Sequence, residues 1–243
     1  MALASPIGYD AKFSQNRKGR DLLFVLDTSG SMGESGYSKD KIEASKFQIL
    51  KNIISVFIQK RYDDNVGVIP FGSFAFVSVP LTYDMKAVSF LMDFLEVGIA
   101  GQNTAIGDGL EAATNILQTA SAKSKVIILV SDGYQNSGRT SIKRAVERAK
   151  KLHVKIYTIG IGAKNDFDAS LLKHIAKDTQ AKSFSAKNAQ ELQNVYKSLD
   201  TLEPSKIKSQ HYLNKHIFFT YPLALAILLL LYLLSKRGQK WSS

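Results

Sequence analysis

At 243 residues the chain has room for one α/β domain of about 200 residues and an appendage, and with no cysteine it has neither a disulfide framework nor thiol chemistry. The net charge is +11, but Lys206, Lys208, Lys215, Lys236, Arg237 and Lys240 follow Pro204 with no acid among them, which leaves +5 for residues 1–203, an ordinary solvated surface. Basic residues flanking an apolar segment point to a membrane surface, and no aromatic-rich basic strand offers a platform for nucleic acid.

Residues 1–16 read as a lead-in, because Met1-Ala-Leu-Ala is too short an apolar stretch for a signal peptide. A domain is expected over 17–203. Its first strand is Asp21 to Leu26, whose uncharged run Leu22 to Leu26 suits a strand buried on both faces. Gly33 to Asp40 is polar loop. Ile42, Phe47, Leu50, Ile54, Phe57 and Ile58 fall at helical spacing, which predicts a helix ending near Arg61. Asn65 to Phe71 and Phe74 to Pro80, split by Gly72-Ser73, predict a hairpin-like pair with an edge strand. Asp84 to Leu95 predicts a short helix, and Thr104 opens another through Leu110, Ala113 and Ile116. The second half repeats strand then helix: Lys125 to Val130, Ser141 to Leu152, Val154 to Ile161, Ala169 to Lys177, Ala181 to Ser185 and Ala189 to Leu202.

That alternation predicts an α/β fold, doubly wound around a mostly parallel sheet with one antiparallel edge strand. A basic linker follows at 204–216. Residues 217–234 hold no charge, which predicts a single C-terminal transmembrane helix flanked by Tyr221, Tyr232 and Trp241, with a basic tail at 235–243.

The chemistry gathers after the first strand, at Asp27-Thr28-Ser29-Gly30-Ser31. One carboxylate and two hydroxyls sit where open α/β sheets place their ligands, at the carboxyl end of a central strand. Oxygen donors of this kind suit Mg2+ or Mn2+, whereas zinc favours thiolate and imidazole. Read alone, the same residues also fit helix capping by Ser29, Ser31 and Asp132.

The spacing Asp-x-Ser-x-Ser resembles the first motif of the von Willebrand factor type A domain and its metal-ion-dependent adhesion site. The resemblance implies two further ligands, Thr104 in Gly101-Gln102-Asn103-Thr104-Ala105-Ile106-Gly107-Asp108 and Asp132 in Leu129-Val130-Ser131-Asp132-Gly133. Asn103 stands where the family usually has glycine, and Ser131 where it has threonine. Within that group the chain looks like the membrane-anchored bacterial aerotolerance (Bat-type) proteins, on Gly19-Arg20-Asp21, Asp27-Thr28-Ser29-Gly30-Ser31-Met32, Pro80-Leu81-Thr82-Tyr83-Asp84 and Ile159-Gly160-Ile161-Gly162. Those proteins typically carry membrane helices before the domain, and Met1-Ala-Leu-Ala-Ser-Pro looks like the outer end of one. The resemblance implies a single-pass protein of the bacterial inner membrane with its domain extracytoplasmic.

It also implies a function: Mg2+ at Asp27, Ser29, Ser31, Thr104 and Asp132 binds an Asp or Glu of a protein partner. Gly33, Tyr37, Gln102, Asn103 and Gly133 lie on the loops that set specificity. Partners implied are other von Willebrand A and repeat-containing membrane proteins, a MoxR-type AAA+ ATPase and the lipid bilayer. A structural subunit with a vestigial metal site is one alternative. A Mg2+-dependent phosphatase is another, but position 29 is serine where such enzymes place a second catalytic aspartate. The chain has no Gly-x-x-x-x-Gly-Lys-[Ser/Thr] loop or Gly-x-Ser-x-Gly elbow, and its histidines (His153, His174, His211, His216) fall outside the metal loops. No enzymatic activity is expected.

Overall fold

The computed structural model describes residues 7–9, 19–38, 43–61, 64–122, 124–163, 165–204, 215–217 and 220–239. In chain order the first elements are β1 (Ile7–Tyr9), β2 (Asp21–Asp27), a 3-10 turn (Gly30–Gly33), α1 (Lys46–Ile58), β3 (Asn65–Phe71), β4 (Val79–Thr82), α2 (Met85–Asp93) and α3 (Ile106–Thr119). Then come β5 (Lys125–Ser131), α4 (Ile142–Lys151), β6 (Val154–Ile161), α5 (Ala169–Asp178), β7 (Ser183–Ala186), α6 (Ala189–Leu202), β8 (Lys215–Ile217) and α7 (Thr220–Gln239). The chain divides into two compact units, Lys18–Lys208 and a smaller one formed by Met1–Arg17 with Ser209–Ser243.

The larger unit is built on a six-stranded sheet ordered β4-β3-β2-β5-β6-β7. All neighbours are parallel except β3 and β4, so the antiparallel strand sits at one edge. Every residue of β2 is buried. Because strand side chains alternate, its apolar run feeds two cores at once. Leu22, Phe24 and Leu26 pack with Leu50, Ile54 and Leu199 from α1 and α6, and Leu23 and Val25 pack with Leu110, Ala113 and Leu117 of α3. The chain leaves β2 for β3 on one side and later returns to β5 on the other. The carboxyl end of β2 is therefore the point where winding reverses, and open α/β sheets leave a crevice there.

Helix starts are fixed by side-chain caps: Ser45 accepts from Gln48 N in α1, and Asp84 accepts from Lys86 N and Ala87 N in α2. Close seating of α3 needs glycine: a Cβ at Gly109 would lie 2.9 Å from Val25 Cγ1 and 3.2 Å from Phe71. That contact holds the start of α3, and the loop before it, against the ends of β2 and β3.

The structure moves several expected boundaries. Ile42 lies outside the described residues, and α1 begins only at Lys46 behind its Ser45 cap. The strand expected over Phe74 to Pro80 is shorter and later. Gly72 N donates to Phe74 O and Phe74 N to Ala100 O, so the start of this stretch is spent on a turn and a loop contact, and Phe76 N and Ser78 N donate to Pro70 O and Val68 O of β3 before β4 begins at Val79. The last edge strand runs Ser183–Ala186 rather than Ala181 to Ser185.

The expected transmembrane helix over 217–234 is corrected. Ile217 ends β8, which pairs antiparallel with β1 through Ile7, and residues 218–219 lie outside the described residues. The helix starts at Thr220, and its uncharged part runs from there to Ser235, ahead of Lys236 and Arg237. At 1.5 Å per residue that is about 24 Å, against about 30 Å of hydrocarbon core. Among the described residues no helix is long and apolar enough to cross a membrane. The single-pass placement in a bacterial inner membrane loses its basis with that span.

Candidate metal centre

Asp27 closes β2 and is fully buried. The next residue ties the loop to the sheet, since Thr28 N and Thr28 Oγ1 both donate to Phe71 O, at 2.8 and 2.9 Å. The chain then tightens into the 3-10 turn, which brings Ser29 Oγ within 3.2 Å of Ser31 Oγ. Ser31 Oγ donates to Asp132 Oδ1 at 2.6 Å, linking the end of β2 to the end of β5. A second link crosses the same strands, from Ser131 Oγ to Asp27 Oδ2 at 2.6 Å. Asp27 Oδ1 accepts from Ser29 N at 2.9 Å.

The third loop precedes α3. Thr104 is buried, and its backbone is clasped by Asn136: Thr104 N donates to Asn136 Oδ1 at 2.8 Å, and Asn136 N to Thr104 O at 3.2 Å. Thr104 Oγ1 lies 3.2 Å from where a Cβ on Gly133 would stand. Its hydroxyl therefore abuts the backbone next to Asp132, and a side chain at 133 would crowd it. The same loop also touches the one after β2, through Gly30 N donating to Gln102 O at 3.2 Å.

Electrostatics separate the two carboxylates. Burial, reinforced by the charge of Asp132, pushes Asp27 up from 3.8 to about 6, against the lowering effect of the Ser131 and Ser29 hydrogen bonds. Asp132 has a cation of its own. Its Oδ2 accepts from Lys46 Nζ at 3.0 Å, and the same ammonium donates to Glu34 Oε2 at 2.6 Å. Burial depresses the Lys46 ammonium, but the Glu34 hydrogen bond and the charge of Asp132 outweigh it and hold it above the ordinary lysine range.

This set fits a hard octahedral cation. Oxygens about 2.1 Å from Mg2+ and at right angles lie about 3 Å apart, and the Ser29–Ser31 and Ser31–Asp132 separations of 3.2 and 2.6 Å bracket that value. It does not resemble a carboxylate cage. Among the described residues no three His, Cys, Asp or Glu side chains group to hold a metal, so hydroxyls make up the majority of the candidate donors.

Of the loop residues expected to face a partner, Gly33, Gln102 and Asn103 are exposed and Gly133 is half-buried. Tyr37 is not at the surface: it is 6% exposed and its hydroxyl donates to Ala186 O at 2.8 Å. Sequence reasoning missed Lys46 and Glu34 altogether. The signal for Lys46 was faint, a cation at the first position of a helix, where the macrodipole disfavours positive charge.

Residues 21–198 match the von Willebrand factor type A domain family. An uncharacterized protein of Borreliella burgdorferi is 33% identical over 168 residues, 69% of this chain and 48% of that protein. The chain thus spans about half the length of this curated relative. Among solved structures, the conserved hypothetical protein BatB from Bacteroides thetaiotaomicron shares the fold with a TM-score of 0.61 at 21% identity, over 76% of this chain and 98% of that one. Proximal thread matrix protein 1 from the mussel byssus, solved with a zinc-occupied MIDAS motif, gives 0.63 at 24% identity, over 82% of this chain and 48% of that one. With the family match covering most of the chain and a sheet wound as described, this protein belongs to the von Willebrand factor type A domain family.

Proposed function

We propose that the chain is a metal-dependent protein-interaction module, with Mg2+ or Mn2+ held by Asp27, Ser29, Ser31, Thr104 and Asp132. The observation that carries this reading is the spacing of Ser29 Oγ, Ser31 Oγ and Asp132 Oδ1 in one buried crevice at the carboxyl end of β2. A divalent cation in that crevice supplies positive charge and an open position for an Asp or Glu of a protein partner. Ser29, Ser31 and Thr104 contribute neutral oxygens, which leaves the charge of such an ion only partly cancelled. Asp27 and Asp132 position the hydroxyls: each accepts a hydrogen bond from a serine of the opposite loop. The zinc bound at the corresponding motif of the mussel protein supports a divalent ion as the class of ligand. Gly33, Gln102, Asn103 and Gly133 surround the crevice as contact residues. By resemblance to the Bat-type proteins, the partners are other von Willebrand A and repeat-containing membrane proteins and a MoxR-type ATPase. No catalytic role is assigned to the site.

Titration of Mg2+ into the metal-free full chain by calorimetry tests the site. One binding event is expected in the wild type and none in Ser29→Ala or Thr104→Ala, each still folded. Equal Mg2+ affinity in all three would leave the site vestigial or wrongly placed.

A further inference from the structure

The ammonium of Lys46 stands at the site without belonging to the oxygen set. Its side chain is 10% exposed, and it is held between the fully buried carboxylate of Asp132 at 3.0 Å and the 65%-exposed carboxylate of Glu34 at 2.6 Å. Two physical terms oppose a cation here: burial, and the positive end of the α1 macrodipole, since Lys46 is that helix's first residue. The Glu34 hydrogen bond and the charge of Asp132 offset them together. Of the two carboxylates only Asp132 is buried with the ammonium, so Lys46 is in effect a counter-ion for it. Its backbone reinforces the arrangement, as Lys46 N donates to Glu34 O at 2.9 Å.

The geometry points to Lys46 as a resident cation that competes with the divalent ion for Asp132, keeping metal binding weak and leaving beside the loaded site an ammonium that a partner's carboxylate can take over from Glu34. The inference rests on the proposed metal site and concerns the strength of binding there. With Asp27 and Asp132 ionised, Lys46 offsets one of the two buried negative charges, while Glu34 adds a solvent-screened one beyond it. A divalent ion entering beside it meets a weakened attraction and a like charge within contact of one of its ligands. Once loaded, the same lysine keeps a positive charge that only Glu34 balances, and Glu34, exposed and on a loop, is the carboxylate that a partner's acid would replace on it. Lys46 is thus a positioning and affinity-setting residue.

The test is calorimetry of MgCl2 into metal-free full-length protein at pH 8, with thermal melts in EDTA as a second readout. Lys46→Gln removes the charge but keeps a donor for Asp132, Lys46→Met removes both, and Lys46→Arg keeps the charge. Lys46→Gln should bind Mg2+ at least about tenfold more tightly than wild type, with a lower melting temperature in EDTA and a larger rise on adding Mg2+. Lys46→Arg should stay within about twofold of wild type. Lys46→Met should follow the glutamine variant if it folds, and the glutamine variant decides if it does not. Wild-type binding with no gain in Lys46→Gln, or the same gain in Lys46→Arg, overturns the competition and leaves the metal site standing. If the wild type takes up no Mg2+, the site assignment falls and this inference with it.

Discussion

Asp27 is ionised at a cost that a metal would relieve, and Asp27→Asn exposes that cost. In the folded, metal-free protein the carboxyl is raised from 3.8 to about 6, mainly by burial. At 1.36 kcal/mol per pH unit, this corresponds to about 3 kcal/mol of stability. The folded value lies above the unfolded one, so the contribution is fully present below about pH 4 and is lost as pH rises through about 6. Asparagine imitates the protonated acid. Its Oδ1 can accept from Ser29 N, and its amide can donate to the Ser131 hydroxyl that now donates to Asp27. In EDTA at pH 8, Asp27→Asn should therefore be about 2 to 3 kcal/mol more stable than wild type, read from urea unfolding of the full chain at equal m values. The difference should shrink to near zero by pH 4. Adding Mg2+ should stabilise wild type alone, since the variant has lost the carboxylate. A variant that is less stable than wild type in EDTA at pH 8, or a difference independent of pH, would refute the reasoning.

Two further outcomes follow from contacts remote from the crevice. Glu203, 7% exposed, accepts from Lys155 and Tyr157 and pairs with Arg20 at 3.3 Å. Burial acts to raise its carboxyl, but these hydrogen bonds and the Arg20 and Lys155 charges outweigh it and hold it below the usual range. Glu203→Gln should cost about 2 kcal/mol at pH 7 in urea titrations, allowing for the half-exposed lysine. The loss should diminish as pH falls below about 4.5, where wild type also surrenders the charge. Tyr37→Phe should cost about 1 kcal/mol by leaving Ala186 O without its donor, with Mg2+ affinity unchanged in calorimetry.

Much of the fold was legible because its strongest signals are local. The apolar runs of β2, β5 and β6 have no amphipathic reading, and only a strand covered on both faces accommodates them. The bounds of β3, β6 and α6 match expectation residue for residue. Asp27, Ser29 and Ser31 lie within five residues, and one tight turn brings their side chains together. The misses are long-range. Phe74 looked like strand until its amide was claimed by Ala100, 26 positions on. Little near Lys46 in the sequence marks it, and only Asp132, 86 positions away, reveals it as a buried ion. Tyr37 looked like a loop aromatic, yet its hydroxyl finds Ala186 across 149 positions. The apolar C-terminal run was read by composition, which does not register that Ile217 pairs with Ile7 as strand before the helix begins.

A metal held at the end of β2 is proposed to bridge this protein to a partner's carboxylate. The most direct measurement is the affinity of the full chain for a purified candidate partner, first a MoxR-type ATPase or another von Willebrand A protein. It should be read by surface plasmon resonance in Mg2+, in EDTA and with Thr104→Ala. Binding in Mg2+ is expected, and it should be lost with EDTA, lost with Thr104→Ala, and lost again when the partner's contacting Asp or Glu becomes Asn or Gln. A partner bound with the same affinity under all of these conditions would contradict it.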